Sequence, residues 1–518
     1  MMTAKSKLSL CAAMLVMGCG CASAQDALPG VSEYMYADAM ALWRHTVSAA
    51  GLTLDSLTQR GYSSIGVNHQ SGDYHRVQEG RQTNSVGFYS ERYQSIGRYL
   101  YGYGSFAFEQ GRTKGRAWSD VMRTYGSNPF LSGSSVAGAY DEQNMDFVAS
   151  VGTVDLAGWR YGIRLDYRVG DLSRLRDPRS RSRMLDYRLA PAVCRTFGIH
   201  SVGVSAWYRR YKEKLPGIIT VQNNPNLYYY QMSGMEAVTG TVGGYSGYSR
   251  EYVNHECGGE VQYALRRRDY AAVYAANITY GTESMFEQYE REPGHYYAYQ
   301  VQLQSRHRIT RGTRVHQIDW TMDAAQAYAD EYRPQLVVTL DADNGYSSYR
   351  YDNLLTYRKR YQMQSLSTHL SYRLAAVQAA AVRRYLQAEC DWSSISQKHL
   401  LPTSTFDWST VRLGAEYGQT LLPSRRLWLT ARVGYLVSAR ADMDLADATT
   451  PYAQSVLLPD MTYYRSNCLN AGLDLLYQHP LQLKGYRFVG FVRVQAQTWQ
   501  AQHDLSSQAV GLSIGIMN

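Results

Sequence analysis

Beyond its first two dozen residues the 518-residue chain has no run of eighteen apolar residues, which excludes membrane-spanning helices. Its longest candidate, residues 374–382, is short and interrupted by Gln378. It has no C-x-x-C pair. Cys11, Cys19 and Cys21 lie near the start, and Cys194, Cys257, Cys390 and Cys468 are far apart. A zinc site wants closer spacing, so no metal and no cofactor are expected, and the spacing points to no disulfide. Neither G-x-S-x-G nor H-E-x-x-H occurs, and paired carboxylates are scattered. No Pro-rich or Gly/Ser-rich tether divides the chain, so one large architecture is simpler than several domains. Phenylalanine is scarce, 10 residues against 46 tyrosines. An aromatic body with a polar tip suits the boundary between lipid and water.

The start reads as an export signal. Lys5 and Lys7 precede the apolar residues 8–16, and Ala22-Ser23-Ala24 forms a cleavage site before Gln25. The string Val16-Met17-Gly18-Cys19 offers a competing lipoprotein signal ending at Cys19. Either way the chain leaves the cytoplasm. Loss of Lys5 and Lys7 lowers the net charge of +9 by two. The remaining excess is modest and dispersed, so nucleic acid is not an expected partner.

Period two is what repeats. Trp159, Tyr161, Ile163, Leu165, Tyr167 and Val169 alternate with Arg160, Gly162, Arg164, Asp166 and Arg168. Likewise Leu427, Leu429, Ala431, Val433 and Tyr435 alternate with Trp428, Thr430, Arg432 and Gly434. Such runs, ten to fourteen residues long, exceed the roughly five or six usual in soluble sheets. A tilted membrane strand needs about nine to eleven. An arginine facing lipid at mid-depth would cost roughly 2–4 kcal/mol, so the charged face must border a hydrated lumen. Tight turns near Asp155-Leu156, 196–199, Arg267-Arg268, Arg311-Gly312, Pro423-Ser424 and 480–484 alternate with long segments at 112–143, 170–183, 213–256, 282–294, 322–350, 391–405 and 439–464. Short periplasmic turns with long outer loops are the asymmetry of outer-membrane barrels. The pattern predicts an all-β transmembrane antiparallel barrel over 61–518, of about 18 strands (range about 16–20). Residues 1–24 form the signal and 25–60 an N-terminal periplasmic or lumenal segment, helical near 38–50, beneath or inside the barrel.

Several strings carry a family likeness. They are Leu42-Trp43-Arg44, Ala49-Ala50-Gly51-Leu52, Gly72-Asp73-Tyr74-His75-Arg76-Val77-Gln78-Glu79-Gly80, Tyr99-Leu100-Tyr101-Gly102-Tyr103-Gly104-Ser105-Phe106 and Asn128-Pro129-Phe130. Through them the chain resembles an uncharacterised outer-membrane β-barrel family of Bacteroidota, a domain of unknown function. The resemblance implies a barrel and its location, and brings no catalytic residues. The chain departs from many outer-membrane proteins in ending Ile516-Met517-Asn518 rather than on an aromatic residue.

Within the barrel, Arg160, Arg164, Arg168, Arg412, Arg432 and Arg493 are the expected basic lumen wall. It would favour anionic solutes in an open channel, or pair with Asp166, Glu416 and Asp474 and fill the interior. The latter is the plainer expectation. Arg174, Arg176, Arg179, Arg181 and Arg183 form a basic outer loop, placed to meet lipopolysaccharide phosphates or simply solvent. Tyr228-Tyr229-Tyr230 and 245–252 suit sugar or protein contact. A lipid-modifying enzyme is the catalytic alternative, with Ser and His on the outer wall. His200 and Ser201 point to opposite faces, whereas His369 shares a face with Ser367 and Ser371. Polar groups are ordinary in a lumen, so no catalytic residue is assigned. The expected role is a pore, or an accessory component of an uptake or export complex with partner proteins. A filled structural or surface-binding barrel is the alternative. Expected partners are outer-membrane lipid and lipopolysaccharide.

Overall fold

The alternating runs become hydrogen-bonded ladders because each strand's unpaired backbone groups need a neighbour, and in lipid only a closed sheet supplies one everywhere. The computed structural model describes residues 30–55, 59–125, 128–220, 228–242, 248–340, 345–421, 426–483 and 486–518. The signal, Pro423-Ser424 and Tyr245 lie outside the described residues. Among those described, eighteen long strands form one antiparallel barrel. Sequence neighbours pair throughout, with His200–Leu215 and Arg250–Arg266 joined across the longest connection. The last strand, Ser506–Met517, closes on the first, Arg60–Gly72, with Tyr62 opposite Met517 and Gly72 opposite Ser507. Closure leaves the cylinder no free edge.

One face of the strands is apolar and exposed. Tyr161, Ile163, Leu413, Val433, Leu473 and Ile514 all stand open on it. An apolar belt of this extent is stable only against lipid, so the barrel spans a membrane. No described helix is long and apolar enough to do so.

Strand length departs from expectation. Strands run from 12 residues in Ser506–Met517 to 32 in Ser347–Gln378. A tilted crossing uses only about nine to eleven residues, so the hairpin of Arg314–Leu340 and Ser347–Gln378 projects well beyond the apolar belt. Segments expected as loops at 170–183, 282–294, 322–350 and 391–405 are therefore largely strand. Polar side chains cover both faces there, which hides the ladder from a hydropathy pattern. At the opposite end the turns are short, and Gly198 and Gly312 adopt positive φ in them, 60° and 58°.

Tyrosine also does more than line the membrane boundary. Tyr93, Tyr140, Tyr211, Tyr252 and Tyr361 are buried in the interior. A large barrel must fill space with side chains that carry their own hydrogen-bonding tip.

Both mouths are occupied by chain. At the short-turn end, residues 30–55 lie within the lumen as a helix, Val31–Met40, and the 3-10 turns Trp43–His45 and Ala49–Leu54. Glu33 accepts the Gly30 N–H at 3.0 Å and so starts the helix. Glycines on the inner wall admit this segment. A Cβ at Gly162 would fall 2.3 Å from the Ala50 nitrogen, and one at Gly152 2.5 Å from the Ala49 carbonyl. At the long-loop end, Ser132–Ser134, Tyr228–Gly234 and Ala237–Val242 make a small sheet, joined by the helix Leu458–Arg465. Trp118, Phe130, Met232, Met285, Tyr361 and Tyr452 pack there into the largest apolar cluster.

Candidate functional site

A strand's inner face receives every second residue, so charges two apart project into one lumen. Arg160 reaches Asp155 at 2.8 Å and the Thr196 hydroxyl at 2.8 Å. Arg164 and Arg188 share Asp166, each at 2.8 Å. Arg168 meets Asp146 at 3.0 Å. Across the barrel Arg412 bridges Asp391 at 2.7 Å and Glu389 at 3.2 Å. Arg432 approaches Glu416 at 3.4 Å, with Arg373 at 3.7 Å from the same carboxylate. The Arg493 Nε donates to both oxygens of Asp474, at 3.0 and 2.9 Å. All six lumen arginines thus have carboxylate partners. Asp146, Glu389 and Asp391 are partners that the pattern did not single out, because an acid on a neighbouring strand is far away in sequence, and Asp155 reaches Arg160 from the adjoining tight turn.

The outer basic residues separate into two kinds. Arg174 is buried, donating to the Tyr140 hydroxyl at 2.9 Å and the Val136 carbonyl at 2.7 Å. Arg176 is exposed in the link 175–178. Arg179, Arg181 and Arg183 stand on the exposed face of the strand Arg179–Phe197. Arg179 pairs with Asp177 at 3.0 Å, Arg181 with Asp171 at 2.6 Å, and Arg183 lies 4.0 Å from Asp171. The cluster is therefore a strand end and a tight link rather than a long loop.

His369 Nδ1 lies 2.6 Å from the Asp391 carboxylate, inside the Arg412 network. It faces the lumen, so it does not build the outer-wall constellation that a lipid-modifying enzyme requires. His200 contacts the Tyr263 hydroxyl at 2.8 Å, while Ser201 is buried on the other face.

Residues 30–55 are held by small apolar groups against the wall and by a set of polar contacts. The Val47 N–H donates to Glu260 at 2.9 Å, the Val31 N–H to Gln478 at 2.8 Å, and Arg308 donates to the Ala39 carbonyl. Arg44 pairs with Asp38 and, at 3.1 Å, with Glu91. Arg266 donates to the Leu54 carbonyl at 2.9 Å. Within the segment Asp55 accepts the N–H groups of Trp43 and Arg44, at 3.1 and 2.8 Å. Burial pushes the Asp55 carboxyl up to about 7, the two N–H groups opposing it. In the outer helix burial likewise lifts Asp460 to about 7, although it accepts the Val77 N–H at 2.8 Å. Glu260, Arg308 and Gly162 were not singled out as site residues. Their one signal is an inward register position, shared with dozens of others.

A model described as a family of unknown function (DUF6850) matches residues 49–518. No curated protein matches the chain. Solved structures with a similar course include the copper transporter OprC, at 8% identity, covering 89% of this chain and 81% of that one with a TM-score of 0.38. Another is the outer membrane transporter YddB from Escherichia coli, at 7% identity, 88% and 81% coverage and a TM-score of 0.39. A third is the ferric yersiniabactin uptake receptor FyuA from Yersinia pestis, at 9%, with 89% and 80% coverage and a TM-score of 0.40. Likenesses this remote say nothing about cargo.

Proposed function

The chain belongs to the DUF6850 family of unknown function, and from that premise we propose that it is a gated outer-membrane conduit for polar solutes, closed at rest by residues 30–55. The observation that carries this reading is how that segment is held. Beside small apolar groups around Leu42, Trp43, Val47 and Ala50, its contacts with the wall are individual hydrogen bonds and ion pairs, each worth about 0.5–1.5 kcal/mol net, or about 1.5–3 where a charge is involved. They are replaceable by water one at a time, as a movable plug requires. The plug leaves polar, partly exposed lumen side chains above it, such as Arg412, Arg432 and Arg493.

In this reading residues 1–24 direct export and are removed, and a bacterium with an outer membrane is the host, in keeping with a Bacteroidota origin. Arg176, Arg181 and Arg183 meet lipopolysaccharide phosphates outside, and a periplasmic partner protein acts on the plug. A sealed structural barrel is the second reading, favoured by the pairing of all six lumen arginines.

Planar-bilayer recording separates the two. The full chain is expected to pass no steady current, and a variant lacking residues 25–55 to conduct. Silence in that deletion, and again when it is combined with Trp118→Ala to loosen the outer cap, leaves the sealed barrel standing.

A further inference from the structure

Two cavities lie along the lumen wall on opposite sides of the cylinder. One, of about 350 Å³, is lined by Trp207, Asn277, Gln300, Gln302, Asp323 and Ser367. The other, of about 390 Å³, is lined by Asn68, Gln70, Glu109, Gln495, Gln497 and Trp499. Their make-up repeats although their strands are far apart in sequence. Each has one indole and a pair of glutamines spaced i, i+2, which puts both amides on the inner face. In each pair an aspartate fixes one glutamine. Gln302 Nε2 donates to Asp323 at 2.7 Å, and Gln495 Nε2 to Asp474 at 3.1 Å. The side-chain amide of the other glutamine, Gln300 or Gln497, makes no hydrogen bond among the described residues.

Charge sorts the candidate ligands. Guanidinium groups at these walls are already engaged: Arg188 by Asp166, Arg209 by Asp186 and Glu256, Arg432 by Glu416. Each therefore has its charge largely answered by a neighbouring acid. Each cavity instead keeps one carboxylate without a cation among the described residues, Asp323 or Glu109. The groups on offer are therefore free amides, hydroxyls, one carboxylate and an aromatic surface, broader at Trp499 than at Trp207, which is only 8% exposed. Carboxylates and amides accept from and donate to alcohols, and an indole covers the C–H face of a ring. An anion would be repelled by the carboxylate and meet only guanidinium groups already paired with acids. Volumes near the lower end of ligand pockets, about 300–1,000 Å³, suit a molecule of one or two sugar rings.

From this repeated chemistry we infer that the two cavities are binding sites for an uncharged, hydroxyl-rich solute of mono- to disaccharide size. The inference rests on the conduit reading and names its cargo class. It also supplies a link to the plug. Trp207 lines the first cavity and packs directly on Val47 of the plug, whose N–H is held by Glu260. An occupant of that cavity is one side chain away from the segment that must move.

Saturation-transfer NMR on the full-length protein in an amine-oxide detergent, which carries no sugar, tests the assignment. Maltose, sucrose and cellobiose serve as neutral probes, and glucuronate as the anionic control. Transfer to at least one disaccharide is expected, with none to glucuronate. Gln300→Ala with Asp323→Asn, and Gln497→Ala with Glu109→Gln, should each weaken binding at their own cavity, and the two pairs combined should raise Kd about tenfold or more, equivalent to about 1.4 kcal/mol. Arg98→Ala, in the exposed turn between the strands Gln82–Ile96 and Leu100–Arg116, should change nothing. Heat-modifiable migration on a gel verifies that each variant is folded. No transfer from any of the three disaccharides at tens of millimolar overturns the proposal, as does equal transfer to glucuronate or indifference to all four cavity substitutions. Plug-deletion conductance is independent of this readout. Current without sugar binding refutes the solute class alone, and sugar binding without current refutes the gate alone.

Discussion

The chain segments at the two ends of the lumen are held by different physics. The outer cap is built around a true apolar core: Trp118, only 1% exposed, packs against Tyr230 and Tyr452 with ring centroids 4.5 and 5.4 Å apart. Arg250 is buried beneath it and donates to the Phe130 and Leu131 carbonyls at 3.1 and 2.8 Å. The plug has no comparable cluster. Its apolar residues divide among several small groups against the wall, and its backbone leans on Glu260, Gln478 and Arg308. Apolar burial is lost only when a whole unit opens, whereas polar contacts exchange with water singly. The cap is thus a lasting part of the fold, and the plug a docked segment.

The comparison breaks most sharply at Trp118. Trp118→Ala should cost about 3–5 kcal/mol locally and speed hydrogen exchange across 117–135 and 228–240. Exchange in the plug should not change; if both ends loosen together, they are one unit and the contrast fails.

Smaller effects belong to the plug. Gly162→Val places a Cβ against the Ala50 nitrogen, and overpacking of this kind costs about 1–3 kcal/mol. Glu260→Ala leaves the buried Val47 N–H without an acceptor, again about 1–3 kcal/mol. Single-channel recording should show open bursts in both, with the barrel's own resistance to heat unchanged. Silent channels in both would mean that these contacts do not hold the plug.

Acidity should act on both ends in the same direction. A buried carboxyl whose docked pKa lies above its free value contributes fully below the free value, about 4, and that contribution is lost as pH rises through about 7. Raising pH across that window should lower the ratio of closed to open protein about tenfold or more. Asp55→Asn should flatten the plug's response, and Asp460→Asn that of the cap measured by exchange. A flat profile in the unaltered protein would remove Asp55 from plug docking.

The smallest effect is expected at Arg432, whose side chain is 41% exposed and whose partner lies 3.4 Å away. Arg432→Ala should alter stability by less than about 1 kcal/mol. In the plug-deleted barrel it should shift the reversal potential toward cation preference.

Much of the wall was legible because alternation is local: Tyr161, Ile163 and Tyr167 against Arg160, Arg164 and Arg168 can be read within ten residues. Strand length was not, since Arg179, Arg181 and Arg183 continue a ladder beyond the apolar belt where hydropathy no longer alternates. The candidate cavities were hidden for a different reason. Gln300 and Gln302 resemble any polar inner face until Asp323, Asn277 and Trp207 are brought beside them from other strands.

The order of side chains along each strand decided the membrane-facing and water-facing walls, because a strand's neighbours in sequence alternate sides whatever the rest of the chain does. It decided the barrel's closure too, in that so many half-greasy strands can satisfy their backbone in lipid only as a cylinder. Which carboxylate neutralises which arginine, what seats in each mouth and where free amides gather were settled by register and by the return of distant segments into the interior. Those depend on contacts between residues tens to hundreds of positions apart, and no local period encodes them.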